Sequence, residues 1–147
     1  MSDESNVISI QNGDTASMLA FKRAQLNEVQ TLIALGSDVN AKNNDGDTAL
    51  ILACDCLNNE EIIQTLIDAG ADVNVKNNTG DTALMVASKN GNLNTVKILI
   101  AAGADVNASN NHGYTPLLLA CTYILSPDLI QTLLLSGADI NARTNNS

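Results

Sequence analysis

Tryptophan is absent from this 147-residue sequence, phenylalanine occurs once and tyrosine twice, so no aromatic cluster can anchor an interior. The composition is nonetheless 45% hydrophobic, and the core must be built from Ala, Leu, Ile and Val. Basic residues are scarce too: seven Lys and Arg stand against 16 Asp and Glu, for a net charge of -9. That balance argues against nucleic acid, whose binding rests on clustered Lys and Arg, and against anionic membrane surfaces. A charged partner should therefore be a basic segment of another protein. No apolar run approaches the roughly 18 residues needed to span a bilayer. The opening Met1-Ser-Asp-Glu-Ser-Asn6 has neither a basic start nor an apolar stretch, which predicts no secretory leader.

Three cysteines (Cys54, Cys56, Cys121) are an odd number and too few for a disulfide framework, which places the chain in a reducing, cytoplasmic compartment with the nucleus left open. Histidine occurs once, as His112 at a turn tip, with no Cys or carboxylate close by in sequence to make a metal site or an acid–base pair. Asn43-Asn-Asp-Gly-Asp47 resembles a calcium loop only faintly: its Gly comes fourth rather than sixth, and the acid at the twelfth position is missing. There is no Gly-rich phosphate loop, nucleophile elbow or HExxH. The expectation is a non-catalytic chain with no cofactor and no metal.

What the sequence does contain is repetition. Gly13-Asp-Thr-Ala, Gly46-Asp-Thr-Ala, Gly80-Asp-Thr-Ala and Gly113-Tyr-Thr-Pro set Thr15, Thr48, Thr82 and Thr115 at spacings of 33, 34 and 33 residues. A second motif runs in step: Gly36-Ser-Asp-Val-Asn, Gly70-Ala-Asp-Val-Asn, Gly103-Ala-Asp-Val-Asn and Gly137-Ala-Asp-Ile-Asn. Each Thr predicts a helix N-cap, and Pro116 suits the first helical position, where its missing N–H costs nothing. Gly91-Asn92 and Ser126-Pro127-Asp128 predict a break between two helices, with Asn92 and Ser126 capping the second. Units two and four hold one extra residue, expected near Leu57 and Ile124. The second helices carry apolar residues at i, i+3, i+4 spacing, and Gly36, Gly70, Gly103 and Gly137 predict left-handed caps at their ends. Such a hairpin cannot bury its apolar face alone and must stack on its neighbours.

These residues resemble the ankyrin repeat over roughly Ile10 to Arg143. The resemblance implies an all-α solenoid of stacked helix-turn-helix units joined by short hairpin turns. It forms one domain over 1–147, with repeats at about 10–42, 43–76, 77–109 and 110–143 after a polar leader, 1–9. One departure is clear: the family's Thr-Pro-Leu-His keeps its Pro once and its His in no unit. Cys54 and Cys121 share one register position, usually Ala, and both are expected to be small buried hydrophobes, with Cys56 partly exposed.

The resemblance further implies protein binding at the concave face formed by turns and inner helices. The positions that vary there are Asn44, Asp45, Asp47 and Asp55 in unit two; Asn78, Thr79, Asp81, Lys89 and Asn90 in unit three; and Asn111, His112, Tyr114, Thr122 and Tyr123 in unit four. In unit one Gln11, Asn12, Asp14, Lys22 and Arg23 hold the same register. Asp45, Asp47, Asp55 and Asp81 could attract a basic segment or simply form a solvated acidic edge. Tyr114 and Tyr123 suit interface anchors, with packing against each other or a nearby loop as the alternative. The last unit shows no polar end face, as a terminal repeat normally does. This predicts a fragment of a longer array or, alternatively, self-association through the C-terminal repeat in an assembly role.

Overall fold

A computed structural model describes residues 18, 26–56 and 59–145. Seven helices occur among them: α1 (Leu26–Ala34), α2 (Ala49–Cys56), α3 (Glu60–Asp68), α4 (Ala83–Asn90), α5 (Leu93–Ala101), α6 (Pro116–Tyr123) and α7 (Pro127–Leu135). No strand is present among the described residues. The fold is the all-α hairpin repeat expected, and the chain divides into two compact units, Met1–Asp72 and Val73–Ser147.

Within the first unit α2 and α3 form a hairpin, and α1 packs on α3. In the second unit two hairpins, α4–α5 and α6–α7, stack with α6 on α4 and α7 on α5. The first helix of each hairpin starts on threonine. Thr48, Thr82 and Thr115 each accept a hydrogen bond from the third following N–H, those of Ile51, Met85 and Leu118, at 3.3 Å. Such a cap contributes about 1 kcal/mol. Pro116 and Pro127 occupy the first turns of α6 and α7, and Ser126 caps α7 by accepting from the Leu129 N–H at 3.4 Å. Asn59 caps α3 in the same way, accepting from the Ile62 N–H at 3.1 Å. Thr15 and Leu57 lie outside the described residues.

One expected cap is not made. The Asn92 side chain forms no cap bond to α5. Its backbone joins the two helices: the N–H donates to the Ala87 carbonyl at 3.0 Å, beside Gly91 at φ 76°, and the carbonyl accepts from the Val96 N–H of α5 at 2.9 Å. In the last hairpin the extra residue falls in the Ile124–Ser126 loop, as expected, and leaves Leu125 at φ 54° with its side chain exposed.

The second helices close as the glycines dictate. Gly70 at φ 98° lets the Ala71 N–H reach back to the Leu66 carbonyl at 3.0 Å, and Gly103 and Gly137 repeat this with Ala104 to Leu99 and Ala138 to Leu133. In the second unit the buried apolar side chains include Leu84, Met85, Val96, Leu99, Leu117, Leu119, Leu129 and Leu133. Ala87 and Ala120 are fully buried, and such short side chains let α6 approach α4 closely.

Cys54 is buried as expected, but Cys121 is exposed, a correction to the sequence reading. The reason is stacking, which no local pattern encodes. Ser88, at the same register in α4, is fully buried in a helix overlaid by α6, whereas no described helix of this unit overlies α6.

Candidate protein-binding surface

The turns that precede the inner helices are built on a buttressing asparagine. Asn77 Oδ1 accepts from the backbone N–H of Thr79 at 3.1 Å and of Asp81 at 2.9 Å. Asn110 Oδ1 accepts from the N–H of His112 and Tyr114, both at 3.0 Å. In the first unit Asn43 Oδ1 does the same for Asp45 and Asp47, both at 3.0 Å. One carboxamide thus satisfies two loop donors that would otherwise need water, and it fixes the direction of the intervening side chains. Sequence reasoning singled out the neighbouring residues and missed these three. The signal was present in the repeated Asn-Asn-x-Gly, whose first Asn can bond its own loop.

Successive turns of the second unit are also bonded to one another. Asn111 donates its backbone N–H to the Thr79 carbonyl and its side-chain N–H to the Asn78 carbonyl, both at 3.0 Å. Asn145 repeats the pattern on His112 and Asn111, at 2.9 and 3.0 Å. Asp81 is half-buried and engaged at both oxygens. Oδ1 accepts from Asn110 Nδ2 at 2.8 Å, and Oδ2 lies 3.1 Å from the Thr79 hydroxyl. Lys76 Nζ donates to the Ser109 carbonyl at 2.9 Å.

The sequence-derived residues therefore fall into two groups. Asp81, Thr79 and Asn111 hold turn to turn. Lys89, Asn90, Thr122, Tyr123, His112 and Asn78 are exposed, and Tyr114 is half-buried. Two of these are brought together: Lys89 Nζ, at the end of α4, stands 5.1 Å from the centroid of the Tyr123 ring at the end of α6. That is cation–π range. The contact leaves Tyr123 57% exposed. The Thr122 hydroxyl donates to the Leu118 carbonyl at 2.7 Å, within its own helix. In the first unit Asn44, Asp45 and Asp55 are exposed and Asp47 is half-buried. The unit-one positions Gln11, Asn12, Asp14, Lys22 and Arg23 lie outside the described residues.

Reactive groups are sparse. Burial, with a smaller contribution from the Asp55 charge, pushes the Cys54 thiol up to about 12, so it stays protonated and unreactive at neutral pH. Among the described residues no group of three or more His, Cys, Asp or Glu could hold a metal ion, and no helix is long and apolar enough to cross a membrane.

Set beside known families, the chain matches the model for ankyrin repeats (three copies) over residues 2–77 and again over 57–144.

Proposed function

The chain belongs to the ankyrin-repeat family, whose members are generally protein–protein interaction modules, and on that premise we propose that it is a non-catalytic module that binds a partner protein through its repeat turns and inner-helix ends. The observation that carries this reading is the Lys89–Tyr123 pair. A large amphipathic ring lies beside a cation, in the open, on a surface that the core does not use. Tyrosine presented this way offers contact area at low cost in side-chain entropy. The turns of the same unit also expose Asn78 and His112 and leave Tyr114 half-buried.

Charge narrows the partner. At a net charge of -9, with exposed carboxylates at Asp45 and Asp55, the chain favours a basic segment of another protein. Asp81 contributes less to that attraction, because both its oxygens already bond within the turns. We place the module inside the cell, and we take the domain as one array of four repeats at about 10–42, 43–76, 77–109 and 110–143.

A pull-down compares the intact chain with Tyr114→Ala/Tyr123→Ala and with Asp45→Lys/Asp47→Lys. The aromatic pair should lose the partner, and the charge reversal should weaken capture most at low salt. Retention of every bound protein by both variants rules out this surface.

A further inference from the structure

The charge that favours a basic partner is confined to one part of the chain. Residues 1–72 hold twelve Asp and Glu against three Lys and Arg, so the first unit carries the whole net charge of -9. Residues 73–147 hold four of each and are neutral. Attraction of a basic segment therefore belongs to the first unit. Tyr123, the ring assigned to partner contact, stands in the second.

The four carboxylates of the second unit are tied into its architecture. Asp81 is bonded at both oxygens in the turns. Asp105 and Asp139 each accept at 2.9 Å from the N–H two residues on, those of Asn107 and Asn141, in the loops after α5 and α7. Asp128 lies in the first turn of α7, where a negative charge suits the positive end of the helix dipole. Among the described residues none of the four pairs with Lys89. Of the other cations, Lys76 is bonded to the Ser109 carbonyl, Lys97 lies on the outer helix α5, and Arg143 follows α7. Lys89 is thus the charge that the inner-helix ends of this unit offer a partner, beside the Tyr123 ring.

The sign reverses between repeats at this position. Asp55, Lys89 and Thr122 hold one register near the ends of α2, α4 and α6, and all three are exposed, as are their neighbours Cys56, Asn90 and Tyr123. Lys89 and Asn90 stay open although α6 stacks on α4, so exposure at this register does not depend on a hairpin lacking a neighbour.

We infer that the inner-helix ends of the second unit select a partner segment with a carboxylate next to an apolar side chain, opposite in sign to the segment drawn to the first unit. This rests on the reading of Tyr123 as a binding surface. A carboxylate approaching Lys89 meets an ammonium with no ion pair to displace, and its apolar neighbour covers exposed area of the Tyr123 ring. A basic side chain in the same place is repelled by Lys89, and Asp81 is already engaged.

Amide chemical-shift titration of the full chain at low salt tests this with two capped peptides, one of Glu, Leu and Gly and a matched one with Lys for Glu. The Glu peptide should shift the amides of Lys89, Asn90, Thr122 and Tyr123. The Lys peptide should shift those of Asp45 and Asp55 and leave the first group unmoved. Lys89→Glu should weaken the Glu peptide by roughly threefold to tenfold, and Lys89→Arg should keep native binding. Equal or larger shifts around Tyr123 from the Lys peptide overturn the inference. So do shifts there from neither peptide, or Glu-peptide binding that Lys89→Glu leaves unchanged. Failure of the surface itself reads differently: the Tyr114→Ala/Tyr123→Ala chain then keeps every bound protein in the pull-down, whichever peptide binds.

Discussion

A β-carbon placed on Gly80 would lie 2.8 Å from the backbone nitrogen of Asn111, in the next turn of the same unit. Gly80 also sits at φ 83°, so two independent constraints meet at one residue. Gly103 has a similar left-handed backbone, φ 96°, but open space where its β-carbon would be. Substitution by Ala separates the two effects. Gly103→Ala should cost about 1–2 kcal/mol from backbone strain alone. Gly80→Ala should cost more than that, because the turn-to-turn bonds of Asn111 must also yield. Urea unfolding of the two variants gives the comparison, and equal losses would deny any role to the close approach.

Two buried hydroxyls, Ser88 Oγ and Thr95 Oγ1, have no hydrogen-bond partner among the described residues. Thr95 stands where the other hairpins carry Ile62 and Leu129. Thr95→Val keeps the shape and removes the unsatisfied group, so it should stabilise the chain by about 1 kcal/mol, read as a higher urea midpoint at unchanged slope.

Leu125 is a non-glycine residue at φ 54°, and its side chain is 69% exposed, so little packing holds it there. Leu125→Gly relieves the left-handed strain and should raise stability by about 0.5–1 kcal/mol. A fall in melting temperature would mean that the exposed leucine contributes contacts that outweigh the strain.

Cys54 gives a pH signature. Its thiol is pushed up to about 12 in the folded chain against 9.0 for the free group, so the unfolded chain gives up its proton first. Stability from this site is complete below about pH 9 and declines as pH rises toward 12. Cys54→Ala should flatten that part of the profile. In the native chain a thiol reagent should label Cys56 and Cys121, which are exposed, and reach Cys54 only on unfolding.

The hairpin repeat was legible because its punctuation is local. A threonine cap needs only the next three residues, and a glycine at a helix end needs only its own φ. Thr48, Thr82 and Thr115 cap as expected, and Gly70, Gly103 and Gly137 turn left-handed as expected. What was not legible depends on the neighbouring repeat. Cys121 and Ser88 share a register and differ in exposure because one helix is overlaid and the other is not. Asp81 was expected on the binding face, but Asn110, 29 positions later, takes one of its oxygens. Asn92 makes no side-chain cap, and its backbone, at φ -83° and ψ 81°, departs from the extended conformation of the residues that do cap, Asn59, Thr82 and Thr115. Among candidate site residues, Lys89 and Tyr123 were each identified by position, whereas their contact is a product of stacking α6 on α4.

The proposed binding surface is tested most directly by site-specific photocrosslinking from inside the cell. A photoreactive phenylalanine analogue replaces Tyr123, at the end of an inner helix, or Lys97, exposed on the outer helix α5. The account predicts a discrete crosslinked partner from position 123 and none from position 97. Capture of that partner from position 97, with none from position 123, would contradict it.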